Sequence, residues 1–416
     1  MKNSGIEWIG EIPDDWALIR FKDIFINRKE IAGTRSFLFD RLALTMNGVI
    51  KRDKDDSDGL QPKEFDGYQI IYENDFIFKM IDLQNISTSR VGLSPYTGLV
   101  SPAYICFSPR KKGQYNLFVY YFLMSLYYNC VYNNLGGNGV RSALNATDMG
   151  QFLIPFPSTN TQIQIVSMIE NRCAAVERLI TNQQEQIEKL KEYKQSVISE
   201  AVTRGLDPSV PMKDSGIEWV GNIPSHWRVS PNKYLMKKRK DICSIYKGNN
   251  ILSLTMKGVV IRDLDAGGKM PSSFDGYQKI KRGNLLMCLF DIDVTPRCVG
   301  LIECDGVTSP AYSQFIMSTR AVASYYNYYY LMVDYTKELL HMAKNLRHSL
   351  TEDQFGLILS PQPPISEQQQ IADYLDEKCA EIDKLISIKQ QKIETLTEYK
   401  KSLIYEYVTG KKQVLI

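Results

Sequence analysis

The pattern of apolar and polar positions along this chain has two periods. From Thr161 to Val202, the residues Ile169, Cys173, Val176, Ile180, Gln183, Ile187, Leu190, Lys194 and Val197 alternate steps of four and three, the spacing of a helix with one apolar seam. The same steps recur at Leu375, Cys379, Ile382, Ile386, Lys389, Ile393, Leu396, Lys400 and Leu403, at a constant offset of 206. Prolines before each run (155 and 157; 361, 363 and 364) cannot sit inside the helix that follows, and Gly205 and Gly410 stand where each pattern stops, as helix-terminating glycines do. Elsewhere, short β-branched and aromatic runs such as Gln69 to Met80 and Lys279 to Phe290 are broken by turn residues, which predicts short strands. Tyrosine-rich stretches at 115–132 and 325–342 predict a buried helix in each half.

These two patterns repeat because the chain is written twice. Ser4-Gly5-Ile6-Glu7-Trp8 returns as Ser215-Gly216-Ile217-Glu218-Trp219, and a second tryptophan follows each (Trp16, Trp227). Thr45-Met46-Asn47-Gly48-Val49 matches Thr255-Met256-Lys257-Gly258-Val259. Phe65-Asp66-Gly67-Tyr68-Gln69 matches Phe274-Asp275-Gly276-Tyr277-Gln278, and Ser101-Pro102-Ala103-Tyr104 matches Ser309-Pro310-Ala311-Tyr312. The expected organisation is α+β: an irregular-sheet globular domain at 1–160, a helical spacer at 161–204, a linker at 205–212, a second globular domain at 213–365 and a second spacer at 366–412. A helix with one apolar seam must bury it. An antiparallel pairing of the two spacers, with pseudo-twofold symmetry and the globular domains at opposite ends, satisfies both. The seam residues expected to carry it are Ile169, Val176, Ile180, Ile187 and Leu190 against Leu375, Ile382, Ile386, Ile393 and Leu396.

Composition narrows the class. With 416 residues, 44% hydrophobic and 23% charged, the chain is too long for one compact core. Its eight cysteines form no C-x-x-C pair, so reduced thiols are expected and no metal site. No apolar run approaches the ~20 residues that span a bilayer, and the first ten residues lack a signal-peptide core, so a cytoplasmic location without membrane contact is expected. The formal charge is only +3, but residues 213–365 carry 19 basic and 14 acidic groups, including Lys237-Lys238-Arg239-Lys240. That run either tracks phosphates or is a solvated face. No phosphate-binding glycine loop, G-x-G-x-x-G or Asn-Pro-Pro-aromatic motif is present, so no catalytic site is expected in this chain.

The paired S-G-I-E-W-[IV]-G-x-I-P-x-x-W openings, the T-M-x-G-V and S-P-A-Y segments, and the helices containing Glu192-Tyr193-Lys194 and Glu398-Tyr399-Lys400 resemble the specificity subunits of type I restriction-modification enzymes. The resemblance covers nearly the whole chain. It implies that each globular domain is a target recognition domain reading one half of a split site in double-stranded DNA. It further implies that the helices set the gap and dock two adenine methyltransferase subunits. A motor-nuclease subunit would join for cleavage. S-adenosylmethionine, ATP and Mg would then reside on those partners, with no cofactor in this chain. The alternative is a protein-binding scaffold of two domains with no role on DNA.

Within that frame, Arg52 and Arg262 occupy matching places after T-M-x-G-V, where each either meets phosphate or guanine or pairs with the following Asp. Arg90 and Arg297, before the two V-G-L segments, and Arg141 and Arg347, before the proline-marked helix starts, have similar standing. Lys79 faces Cys288 in the repeat, so a base read there would differ between the halves. With Lys237, Lys238 and Arg239 these complete the DNA-contact candidates. Tyr104 and Tyr312 are expected to pack. Residues common to both copies should carry the scaffold, and differing ones the specificity.

Overall fold

The computed structural model of the chain describes all residues except 47, 54–63, 82, 84–88, 112–114, 136–142, 265–270, 272, 344–347 and 414–416. It divides into two units: residues Met1–Gln183 with Gln391–Ile416, and residues Gln184–Gln390. Each unit therefore holds one globular part and portions of both long helices, which run over Thr159–Arg204 and Ile365–Val408.

In the first unit, strands Gly48–Arg52, Arg41–Thr45, Gly98–Val100 and Gln69–Ile71 lie side by side in that order, and Phe25–Asn27, Ile105–Pro109, Phe76–Phe78 and Val91–Leu93 form a second sheet. The second unit repeats the latter sheet as Met236–Arg239, Ser313–Met317, Leu285–Met287 and Val299–Leu301. Its counterpart of the former is two antiparallel pairs, Leu252–Thr255 with Gly258–Ile261 and Gln278–Ile280 with Gly306–Thr308, joined by a parallel bridge from Ile251 to Val307.

The strand-like runs read from sequence are each two strands with a turn between them. Asn74 (φ 68°) in the first copy and Gly283 (φ 84°) in the second take the left-handed conformation that reverses the chain. The tyrosine-rich helices also come in two pieces, Leu117–Tyr128 then Val131–Leu135, and Ala323–Tyr335 then Glu338–Met342. The break falls at Cys130 and Lys337, both at φ 54°, which a continuous right-handed helix cannot include. Two of the buried tyrosines place their hydroxyls on backbone: Tyr325 donates to the Val202 carbonyl and Tyr326 to that of Pro361, each at 2.9 Å.

The long helices bury their seam unit by unit. In the first unit, Ile169, Cys173, Val176 and Ile180 are buried, as are Leu403, Ile404 and Tyr407, while Ile393 and Leu396 are half-buried. In the second, Ile187, Val197, Leu375, Cys379 and Ile382 are buried, and Leu190 and Ile386 are half-buried. Lys400 meets Glu177 in the first unit, and Lys194 meets Asp383 at 2.7 Å in the second. The numbers differ by 206 in both partners, so one contact is made twice with the helices' roles exchanged, as antiparallel pairing requires. Both helices also begin alike. Gln162 donates to the Pro157 carbonyl at 2.9 Å and Gln368 to that of Pro363 at 2.8 Å, each using a side chain to hold the irregular segment before its helix.

Candidate nucleic-acid interface

The repeated motifs converge on one substructure in each unit: a two-stranded hairpin laid over a small core. Thr45 Oγ1 donates to the Gly48 carbonyl at 3.0 Å, and Thr255 Oγ1 to that of Gly258 at 3.1 Å. Gly48 (φ 89°) and Gly258 (φ 100°) supply the left-handed turn residue, which explains the T-M-x-G-V pattern. Alternation sends Leu42, Leu44 and Val49 inward, onto Ile71, Ile77 and Val100. Close approach is possible because the glycine of V-G-L lies beneath. A Cβ on Gly92 would fall 2.6 Å from Leu44 Cδ1, and one on Gly300 would fall 2.7 Å from Val259 Cγ2.

The other two motifs brace each other. Nε2 of Gln69, the last residue of F-D-G-Y-Q, donates to the carbonyls of Ser101 and Tyr104 at 3.0 and 2.6 Å, and Gln278 does so to Ser309 and Tyr312 at 2.9 and 2.6 Å. Both glutamines are buried. A shared polar brace of this kind fixes a turn at low cost, since every buried donor finds an acceptor.

The hairpin's opposite row is buried at its far end, at Arg41 and Ile251, and half-buried or exposed from there to the tip. In the first unit it reads Arg41, Ala43, Thr45, Ile50, Arg52, with Arg41 directly opposite Arg52. In the second it reads Ile251, Ser253, Thr255, Val260, Arg262, with the Arg262 amide bonded to the Ile251 carbonyl at 2.7 Å. The tips expose Met46 and Met256, at 57% and 67%. Burial and neighbouring Tyr68 push the Tyr104 hydroxyl's pKa up, opposed by Arg41 and Arg52; burial, Cys288 and Tyr277 do the same to Tyr312, opposed by Arg262. Each hairpin thus holds a cation beside a phenol, and Arg52 and Arg262 are half-buried.

Other candidates are placed differently. Arg90 is 1% exposed and its Nη1 donates to the carbonyls of Lys79 and Ile81, at 3.3 and 2.8 Å. The expectation that it contacts DNA is corrected, because its guanidinium is committed to the protein backbone. Nor is it the equivalent of Arg297: the Lys79 amide donates to Arg90 as that of Cys288 does to Cys298, so Arg90 corresponds to Cys298. Arg297 donates from Nε to the Val299 carbonyl at 2.8 Å and from Nη1 to that of Met256 at 3.0 Å. It holds the hairpin tip, and burial lowers its pKa. Lys79 is half-buried. Lys238 is paired with Glu352, and Arg239 lies 3.5 Å from Asp241. Within the run, Lys237 and Lys240 are exposed and have no acidic partner among the described residues, while the two cations between them are paired, so the run is not a continuous cationic stripe. Arg141 and Arg347 lie outside the described residues. The E-Y-K triplets on the long helices spend their lysines on Asp383 and Glu177, a structural use.

Residues 13–189 match the family model of the type I restriction modification DNA specificity domain, and the internal repeat carries the same motifs into the second half. A chain from the solved structure described as "structural basis underlying complex assembly and conformational transition of the type I R-M system" superposes with a TM-score of 0.69 at 12% identity, covering 97% of this chain and all of that one. The two share one fold over nearly their whole lengths. Among curated relatives, the putative type I restriction enzyme MjaX specificity subunit of Methanocaldococcus jannaschii is 24% identical, over 98% of this chain and 96% of its own length. The MjaVIII specificity subunit of the same organism is 22% identical, over 97% and 94%. Residues 13–189 thus carry a type I restriction modification DNA specificity domain, and nearly the whole chain is similar to specificity subunits of type I restriction enzymes, which favours a sequence-specificity role over a protein-binding scaffold. Among the described residues, no helix is long and apolar enough to cross a membrane.

Proposed function

We propose that the two hairpins read the two halves of a bipartite site in double-stranded DNA, one per unit. The observation that carries this is the outward row ending in a matched arginine, Arg52 and Arg262, on a ribbon whose inner row is fixed to the core. A two-stranded β-ribbon fits the major groove, and matched cations at its end suit phosphates, which position a protein without specifying sequence. The long helices set the spacing between half-sites and dock two adenine methyltransferase subunits; the exposed Leu179 and Tyr399 in the first unit, and Leu385, Ile388 and Tyr193 in the second, offer apolar surface for them. Base extrusion and methyl transfer then belong to those partners, which carry S-adenosylmethionine. A motor-nuclease subunit using ATP and Mg joins for cleavage, in the cytoplasm. This chain is the non-catalytic guide.

The test is co-expression with the methyltransferase subunit and single-molecule mapping of methylated adenines. A split motif with a fixed gap, lost when this chain is withheld, is the expected result. Methylation that is absent or independent of this chain overturns the proposal.

A further inference from the structure

The duplication supplies an internal reference for every position, and one position on the outward row departs from it sharply. Where the second unit has Ile251, 4% exposed and packed with Cys243 and Val307 beside Phe274 and Tyr277, the first unit has Arg41. Arg41 is 9% exposed, its guanidinium lies 5.7 Å from the Phe65 ring, and its Nη1 has no hydrogen-bond partner. A buried guanidinium nitrogen without an acceptor costs free energy. Ile251 shows that the same scaffold accepts a plain hydrocarbon here, so packing does not account for the arginine. Arg41 also faces Arg52 across the ladder. The cost at Nη1 is removed if an acceptor-rich group meets it.

We infer that Arg41 is a specificity-determining residue of the first unit and meets the O6/N7 edge of a guanine in that unit's half-site. This rests on the hairpin reading of DNA above. The choice of a base over a phosphate follows from the comparison of copies. A phosphate contact is independent of sequence and belongs to the matched pair, Arg52 and Arg262. Arg41 has no counterpart, as a residue that distinguishes the two half-sites should not. An arginine donating two hydrogen bonds to one guanine is the commonest specific contact to a base. The second unit, with Ile251, reads its own half-site without this contact.

The experiment replaces Arg41 by the residue its duplicate carries. Arg41→Ile is co-expressed with the methyltransferase subunit, methylated adenines are mapped, and DNA affinity is measured against salt. One guanine position in one half-site should lose discrimination by about tenfold or more, while the other half-site and the gap stay as in the parent. The surviving half-site reports that the protein has folded. An unchanged motif overturns the inference. So does equal weakening on all sequences with a salt slope reduced by about one, the signature of a phosphate contact. If Arg41→Ile abolishes methylation, Arg41→Lys decides: it keeps the charge but not the two-pronged geometry, so relaxation at that guanine supports the inference and full discrimination overturns it. Absence of any split motif with the unaltered chain would instead sink the hairpin reading itself.

Discussion

Gln69 reaches the Tyr104 carbonyl at 2.6 Å, and Gln278 repeats the contact with Tyr312 at the same distance. One side chain thereby ties together two motifs some thirty positions apart in the chain, twice. Gln69→Leu removes a donor from two half-buried carbonyls, of which that of Ser101 keeps the Tyr104 amide, at about 1 kcal/mol. Urea denaturation followed by hydrogen exchange should show the loss concentrated in the first unit, and Gln278→Leu should do the same in the second. Equal protection of both Ser-Pro-Ala-Tyr turns in each variant would show that the brace is dispensable.

The glycines under the hairpins make a second prediction. Adding a methyl group by Gly92→Ala presses on Leu44 Cδ1 and Val49 Cγ2, both ends of side chains. Gly300→Ala presses on Val259 Cγ2 and Leu254 Cδ1, and its Cβ also falls 3.2 Å from the Val259 backbone nitrogen. Overpacking of this kind costs about 1–3 kcal/mol, and Gly300→Ala should cost more, because backbone yields less than a leucine tip. Thermal melts of the two variants rank them, and the reverse order would contradict the geometry.

Acid should weaken the second unit partly through Glu352. Lys238 beside it, and to a lesser extent the Ser313 hydroxyl at 3.2 Å, hold its carboxyl below the usual range. A depressed folded-state pKa stabilises the fold above the unfolded value of about 4.3, and that contribution is lost as pH falls through the folded value. The side chains are 37% and 42% exposed, so screening keeps the effect under about 1 kcal/mol. Glu352→Gln should therefore lower stability at neutral pH by under about 1 kcal/mol, make little difference at pH values below the folded pKa, and so flatten the acid limb. A steeper acid limb in the variant would reverse the sign.

Thiol chemistry offers an independent check on the cores. Burial pushes the Cys106 thiol up to about 12 and raises Cys298, Cys288, Cys173 and Cys379 as well, so their reactive thiolates are scarce. Cys130 is exposed, at the break in the tyrosine-rich helix. Iodoacetamide at pH 8 should modify Cys130 first, read by peptide mass spectrometry. Early labelling of Cys106 would mean that the core beneath the first hairpin opens readily.

The long helices, the duplication and the strand-rich character of each half are legible in the sequence because they rest on periodicity and identity, which survive without tertiary information. The breaks at Cys130 and Lys337 are not, since neither residue type announces a left-handed conformation. Arginines are read least well. Arg90 and Arg297 look alike beside their V-G-L segments, yet one is sealed inside and the other props a turn, and only the fold distinguishes such uses. Arg41 escapes notice because it precedes the motif and matches nothing in the repeat. Gln69 and Gln278 lie inside a visible motif, but what they hold is thirty residues away.

The bare backbone at Gly92 and Gly300 has a last consequence. Because each ribbon is keyed from below, its inner row tolerates almost nothing, while its outer row already differs at three of five places between the copies. On the reading proposed above, the outer residues nearer the tip, 43 and 50, can therefore change what a half-site means with little repacking underneath. A library randomised at 43 and 50 should yield many folded proteins with new motifs, whereas one randomised at 42, 44 and 49 should yield few folded proteins at all.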